Sequence, residues 1–177
     1  MNKLLCALLG ATCLNAHADN RPFEHPMDFY LGSDYQLMDL KTVGTPGQAD
    51  FSHVNLRGGV FIFEQIALEA QLGVYDNDDM VEGTTYELSA NRALFVRLLT
   101  PRHRGFAFDF GLGYAHTEVD LTNQALNQSI SDDGFAYSAR IDYAVNPNWH
   151  VALDYTSRDL GNEVELDSYG LGVSYHF

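Results

Sequence analysis

An all-β fold of long antiparallel strands is predicted by three features of the sequence. Apolar and polar residues alternate with a period of two in eight segments, the pattern of strands with one apolar face. Each segment spans roughly ten residues, which is nearly twice the usual globular strand and matches a tilted strand that crosses a bilayer. The connections between segments are alternately long and short. Together these features predict an eight-stranded antiparallel up-and-down transmembrane β-barrel.

The residues before the first strand predict a cleaved secretory signal peptide. Lys3 precedes a short apolar run, and a cleavage site of small residues ends at Ala18, which is the usual order of the parts of such a signal. We therefore expect three parts in the chain: a signal peptide at 1–18, a short periplasmic segment at 19–26 and the barrel at 27–177.

The first four segments each carry large apolar side chains on one face and polar or small residues on the other. They are DFYLGSDYQL from Asp28, HVNLRGGVFI from His53, ALEAQLGVY from Ala67 and YELSANRALFVRL from Tyr86. The fourth contains an exception, because Arg92 lies on its apolar face. Either this side chain reaches toward the outer head groups, or a bulge near Asn91 turns it inward.

The last four segments repeat the pattern with more aromatic residues. They are FAFDFGLGYA from Phe106, FAYSARIDYAV from Phe135, VALDYTSR from Val151 and SYGLGVSYHF from Ser168. In the final segment Phe177, Tyr175 and Val173 share one face, whereas His176 and Ser174 share the other. Aromatic residues at the strand ends predict two girdles at the membrane interfaces.

The connections predict which end of the barrel faces out. The long ones are 38–52, 76–84, 118–134 and 159–166, and the short ones are 63–66, 100–105 and 146–149. Transmembrane barrels have short periplasmic turns and longer extracellular loops. Both termini are therefore predicted to be periplasmic.

Charged residues in mid-strand indicate which face lines the lumen. Lysine is absent from the strand segments, and the polar faces combine small residues with isolated charges. The predicted interior charge network is Arg57, Glu69, Arg97, Asp109, Arg140, Asp142, Asp154 and Arg158. Buried charges are tolerable when they are paired, so we expect these arginines to pair with these carboxylates in a polar plug. A narrow ion path gated by the same pairs is the alternative, and a soluble barrel with the apolar faces inward is a third interpretation.

The signal peptide, the eight amphipathic strands and the terminal GVSYHF resemble the small outer-membrane β-barrels of Gram-negative bacteria, of the OmpA transmembrane domain and OmpX/Ail type. The resemblance covers about Met27 to Phe177 and implies a bacterial outer-membrane location. In that family a terminal Phe with apolar residues at alternate positions is a sorting signal for the barrel assembly machinery. Val173, Tyr175 and Phe177 match it, while His176 replaces the usual penultimate Arg.

The charge of the mature chain excludes some partners. Loss of Lys3 with the signal leaves nine basic residues against 24 acidic ones, a net charge of −15, which argues against binding to nucleic acid.

Acidic clusters occupy predicted outer loops at 76–79, at 132–133 and at Glu163, Glu165 and Asp167. Their spacing differs from that of a calcium loop, so we interpret them as solvated charge and predict no metal site and no cofactor.

Enzymatic activity has little support in the residues. His116, with Glu118 or Asp120 nearby, is the best-placed histidine for a lipid A-modifying enzyme, but no serine lies two residues away, so a nucleophile–base pair is missing.

We predict a monomeric, non-enzymatic protein with a structural or surface-interaction role in membrane integrity or adhesion. Its predicted partners are outer-membrane lipids, lipopolysaccharide, the barrel assembly machinery and an extracellular ligand that the residues do not identify.

Overall fold

The computed structural model describes residues 28–42, 49–77, 79–81, 84–123, 126–159 and 164–177. The predicted signal peptide at 1–18 and the whole predicted periplasmic segment at 19–26 lie outside these ranges. The strands are β1 Phe29–Thr42, β2 Ala49–Phe63, β3 Ile66–Asn77, β4 Asp79–Val81, β5 Thr84–Leu99, β6 Phe106–Asn123, β7 Leu126–Ala144, β8 Trp149–Asp159 and β9 Val164–His176. No helix among the described residues is long and apolar enough to cross a membrane.

The strands form one closed antiparallel sheet. Their order is β3-β2-β1-β9-β8-β7-β6-β5-β4, and an additional pairing of β3 with β5 closes the ring. The short β4 follows β3 along the same edge of β5, so the two together form one of eight positions around the barrel. The first and last strands pair from Tyr30 opposite His176 to Thr42 opposite Val164. The predicted eight-stranded up-and-down barrel is confirmed.

The two faces of the strands point as the sequence predicted. Large apolar side chains lie on the outside, where Leu112 is 66% exposed and Leu153 is 59% exposed. Charged side chains lie inside, where Glu69 and Arg97 are buried. A soluble protein has the opposite arrangement, since it removes apolar area from water. A closed barrel that is apolar outside satisfies its backbone between strands, as hydrocarbon requires.

Aromatic side chains form a band at each end of the apolar surface. Near the short turns, Phe106 lies 4.6 Å from Tyr143 and Trp149 lies 5.1 Å from Tyr175, measured between ring centroids. At the other end the contacting pairs are Tyr114 with Phe135 at 5.8 Å and Tyr155 with Tyr169 at 5.1 Å. These bands occupy the positions of the two interfacial girdles of an outer-membrane barrel.

The short periplasmic turns follow from local residues. Between β5 and β6, Arg104 and Gly105 both have positive φ, 52° and 88°, and His103 and Phe106 exchange backbone hydrogen bonds around them. Positive φ at both central residues is the geometry that a two-residue hairpin prefers. Between β7 and β8, the Asn146 side chain accepts hydrogen bonds from the backbone N–H groups of Asn148 and Trp149.

The predicted bounds of the long outer connections were wrong. The range 118–134 belongs largely to β6 and β7, which remain paired up to Asn123 opposite Leu126, and β1 and β2 likewise extend into 38–52. Such outer extensions need no apolar face, since strands can pair in water without one. The alternation that marks lipid-facing strands therefore stops before the strands do.

The position of Arg92 is also resolved. Its side chain is exposed on the outer face of β5, in register with Leu72 on one side and His116 on the other. An irregularity in the β5–β6 pairing lies between Leu88 and Ala90, but it does not turn Arg92 into the lumen. Arg92 therefore lies on the outer face of the barrel, and the alternative in which a bulge near Asn91 turns it inward is wrong.

Candidate functional site

The middle of the lumen is filled by a group of buried charges, the central cluster, which consists of Glu69, Arg97, Asp109, Arg140 and Asp154. Glu69 is its main acceptor. The Arg97 Nη1 donates to Glu69 Oε1 at 2.9 Å, and the Arg140 Nη1 donates to Oε2 at 3.1 Å. The Tyr30 hydroxyl donates to Oε2 at 2.7 Å and Gln71 Nε2 to Oε1 at 2.9 Å. One carboxylate from β3 thereby joins side chains from four strands.

The other two carboxylates of the central cluster hold the arginines from the opposite side. The Arg97 Nε donates to both Asp109 oxygens at 2.8 and 2.9 Å, and the Arg140 Nε donates to Asp154 Oδ2 at 2.9 Å. The Thr156 hydroxyl donates to Asp154 Oδ1 at 2.8 Å. Strand register produces these contacts, because Arg140 lies opposite Asp109 on β6 and Asp154 on β8.

Glycines make room for these long side chains. The Tyr30 ring crosses the backbone of the neighbouring strand at Gly59, and a Cβ at Gly59 would overlap that ring. The interior of an eight-stranded barrel is just wide enough for side chains to fill. Small residues between the charges are therefore a steric requirement of the central cluster.

A second ion pair lies beside the central cluster. Arg57 Nη2 is 3.4 Å from Asp34 Oδ1, and both side chains are buried. The sequence interpretation included Arg57 in the network but left out Asp34, although Asp34 lies on the polar face of the first segment. Asp34 alternates with apolar residues in the same way as the other inward charges, and this alternation could have identified it as a lumen residue.

At the end of the lumen near the short turns, which is predicted to face the periplasm, lies a group that we call the periplasmic plug, made of Arg102, Asp142, His150 and His176. Asp142 forms an ion pair with Arg102, and its Oδ1 lies 3.2 Å from His150 Nδ1. The rings of His150 and His176 stack at a centroid distance of 3.8 Å, and Tyr30 lies on the other side of His176 at 5.1 Å. Asp142 therefore pairs with a turn residue and a histidine that sequence reasoning had not assigned to it.

The outer part of the lumen has different chemistry. We call its buried polar side chains the outer layer: Gln36, His53, Asn55, Thr117 and Arg158. Arg158 is 1% exposed, and none of its three guanidinium nitrogens has a hydrogen-bond partner among the described residues. The prediction that Arg158 pairs with one of the network carboxylates is therefore wrong for the described side chains. Fully buried Met38 and Leu166 lie in register close to this layer.

The histidine considered for catalysis lies on the outer surface. His116 Nδ1 is 2.7 Å from Asp133 Oδ1 across the β6–β7 pair, and Arg92 is the residue opposite it on β5. Its carboxylate partner is thus Asp133, whereas sequence reasoning considered Glu118 or Asp120. The described residues contain no group of three metal-binding side chains.

The acidic loop clusters lie mostly outside the residues whose side chains are described. Two members are placed. Asp133 is exposed on the surface and lies 2.7 Å from His116 Nδ1, whereas Asp167 is buried and accepts a hydrogen bond from the Tyr155 hydroxyl at 3.0 Å. The interpretation of solvated charge is therefore wrong at Asp167.

The three residues of the predicted sorting signal share the outer face of the closing strand. Val173 and Phe177 are exposed, and Tyr175 contacts Trp149 and Phe177 in the periplasmic girdle. The Phe177 N–H donates to the Phe29 carbonyl at 3.0 Å. Recognition by the assembly machinery stays a prediction.

The comparisons with known proteins agree with this architecture. The family model for the outer membrane protein beta-barrel domain matches residues 4–177. No curated protein sequence matches the chain. Similar solved structures include Ail, the attachment invasion locus protein of Yersinia pestis, with 14% identity, a TM-score of 0.67 and coverage of 86% of this chain and 100% of Ail.

Two further structures show the same fold. Neisserial surface protein A has 15% identity, a TM-score of 0.69 and coverage of 84% of this chain and 97% of its own. The outer membrane protein OprG from Pseudomonas aeruginosa has 16% identity, a TM-score of 0.63 and coverage of 86% and 96%. Likeness at these identities concerns the fold, while the family match spans nearly the whole sequence. The chain therefore belongs to the outer membrane protein beta-barrel domain family and is a protein of the bacterial outer membrane.

Proposed function

We propose that this protein is a non-enzymatic surface barrel that contributes to membrane integrity or adhesion by presenting its outer strand extensions to a partner. The proposal rests on one observation, the extended β6–β7 hairpin. The lumen supports it, because the central cluster and the periplasmic plug fill the space through which a solute would pass. The rigid barrel then acts as a support for the outer segments, where binding residues commonly lie.

The hairpin leaves one strand edge open. β7 pairs with β6 from Leu126 onward, whereas β8 pairs with β7 only from Ala136 onward. On that side, Leu126–Asp132 has no partner strand among the described residues. Open edges offer backbone donors and acceptors to an added strand, so an extended peptide is the class of partner that fits.

Charge narrows the choice of partner. Ail of Yersinia pestis has been crystallised with the heparin analogue sucrose octasulfate, which is a polyanion. The mature form of the present chain is predicted to carry a net charge of −15, and four of its nine basic residues are buried in the lumen. We therefore favour a neutral or cationic peptide surface over a sulfated glycan.

Shortening the hairpin tests the proposal. Replacing residues 121–128 with Asn-Gly keeps Asp120 opposite Ser129 and supplies a favoured two-residue turn. We expect loss of cell-surface binding to immobilised host or bacterial proteins with an unchanged folded barrel, judged by its heat-modifiable gel mobility. The matched control replaces 41–48 with Asn-Gly between Leu40 and Ala49, which are partners in the β1–β2 pair. Equal binding by both variants and the parent would overturn the proposal.

The same strains test the two alternatives. A filled lumen predicts no current in planar bilayers, and steady single-channel steps would favour the narrow ion path. Mass spectrometry of lipid A from cells with and without the protein tests the hypothesis that the protein is a lipid A-modifying enzyme. A change in lipid A acylation would favour that hypothesis. The remaining partners that we propose are lipopolysaccharide, surrounding lipid and the barrel assembly machinery, with the protein as a monomer.

A further inference from the structure

The outer layer contains a buried cation that the rest of the lumen does not neutralise by direct contact. Arg158 lies on the inner face of β8 with Leu166 and Ala136 as its register neighbours. Its guanidinium nitrogens have no hydrogen-bond acceptor among the described residues. Placing a charged group out of water without hydrogen bonds costs several kcal/mol in a typical protein, so this side chain requires an acceptor.

Asp154 is the buried carboxylate on the same strand as Arg158, but its oxygens are already bonded. Oδ2 accepts from Arg140 and Oδ1 accepts from Thr156. If Asp154 moved toward Arg158, Arg140 would lose its hydrogen bond to Asp154 Oδ2. Asp154 therefore does not supply the missing acceptor. The oxygens of Asp34 are also without hydrogen-bond donors, but Arg158 makes no hydrogen bond to them.

Other polar atoms of the outer layer are also unpartnered, both donors and acceptors. Asn91 Nδ2 is 3.1 Å from His53 Nε2, which makes Nε2 the acceptor and puts the ring proton on Nδ1. His53 Nδ1 has no partner among the described residues, and neither do the side-chain amides of Gln36 and Asn55 or the Thr117 hydroxyl.

We propose that the outer layer contains a binding site for a small monovalent anion of chloride size, held by the Arg158 guanidinium. The ligand is small because Arg158, Met38 and Leu166 are all at most 2% exposed. It is an anion because a guanidinium has five donors and no acceptor, and hydrogen bonds to a charged partner are the stronger kind. The site differs from the surface edge on β7 and does not depend on the function proposed for it.

The test uses the folded mature barrel in detergent and compares chloride with gluconate at constant ionic strength. Gluconate is too large to replace a buried monatomic ion. A ligand that binds the folded state raises the unfolding temperature as its concentration rises. We expect such a rise for chloride in the parent protein, no rise in Arg158→Met, and a partial rise in Arg158→Lys. Arg92→Met, which changes an exposed arginine on the outer face, is the matched control and is expected to respond like the parent.

Crystals grown in bromide locate the ion independently of stability. An anomalous peak within hydrogen-bonding distance of Arg158 is expected in the parent and not in Arg158→Met. A water molecule or a protein carboxylate in that place would overturn the proposal, and so would equal responses of the parent to chloride and gluconate. If Arg158→Met fails to fold, the Arg158→Lys response and the bromide peak in the parent still decide the question.

Discussion

In the middle of the lumen, Glu69 accepts hydrogen bonds from Tyr30, Arg97 and Arg140. In the outer lumen, Arg158 is equally buried but has no described partner. Both regions are made of inward side chains from the same strands, and both are shielded from solvent. Burial and alternation alone thus do not determine whether a charged side chain is neutralised.

Strand register accounts for part of the difference between the two regions. Asp109, Arg140 and Asp154 are consecutive partners across β6, β7 and β8, so Arg140 lies between two carboxylates. Glu69 has Gly59 and Phe95 as its register partners, and it meets Arg97 and Arg140 by contacts across the lumen. Arg158, with Ala136 and Leu166 as its register partners, makes no such contact. Each charged side chain of the central cluster has at least one oppositely charged partner, whereas Arg158 in the outer layer has no hydrogen-bond partner among the described residues.

The largest expected effect is in the central cluster. Glu69→Gln keeps the shape of the side chain but removes the charge that neutralises two buried arginines. Breaking a buried ion pair by removing one partner costs about 3–5 kcal/mol, so we expect a loss of this size in the free energy of unfolding. Urea titration of the barrel refolded into lipid vesicles measures it.

The control for Glu69→Gln is Glu64→Gln, in the exposed turn between β2 and β3. It makes the same chemical change in water and is expected to leave the unfolding midpoint unchanged. Equal midpoints for both variants would show that the central cluster does not stabilise the barrel.

A smaller effect is expected from the glycine that admits the Tyr30 ring. Gly59→Ala puts a Cβ into that ring and displaces the hydroxyl from Glu69. Overpacking of this kind costs about 1–3 kcal/mol, again measured by urea titration. Gly58→Ala is the matched control, since its Cβ would approach the mobile end of Leu31 at 3.1 Å. An unfolding free energy for Gly59→Ala equal to that of the control would contradict the role given to Tyr30.

A still smaller effect is expected at the periplasmic plug. The Arg102 side chain is 33% exposed, so water screens its ion pair with Asp142. Such pairs contribute below about 1 kcal/mol, and Arg102→Gln should lower the unfolding free energy by no more than this. Arg104→Gln, in the same turn, is the control. A loss as large as that of Glu69→Gln would mean that the periplasmic plug, and not the central cluster, is the main polar stabiliser of the lumen.

The sequence alone predicts part of these interactions and leaves the rest undetermined. A period of two identifies the inward residues, because successive strand side chains point to opposite faces, and it predicted the fold, the orientation and the burial of Arg97 and Asp154. It carries no information about register between strands. The partners of Arg57 and Asp142, which are Asp34 and Arg102, became visible only in the assembled barrel. The outer strand ends were missed because paired strands in water need no apolar face.

The last prediction concerns Arg158→Met, for which we expect almost no loss in the free energy of unfolding. In chloride-free gluconate buffer, Arg158→Met replaces an unpartnered buried cation by an apolar side chain of similar length, opposite Leu166 on β9. Replacing buried charges with apolar groups is often neutral or stabilising, so the unfolding free energy should stay equal to that of the parent or rise. Arg140→Met is the matched comparison, and it should be strongly destabilised because Glu69 and Asp154 lose a shared donor. If Arg158→Met were as unstable as Arg140→Met without chloride, a protein carboxylate would have to be its partner, and the contrast between the central cluster and the outer layer would disappear.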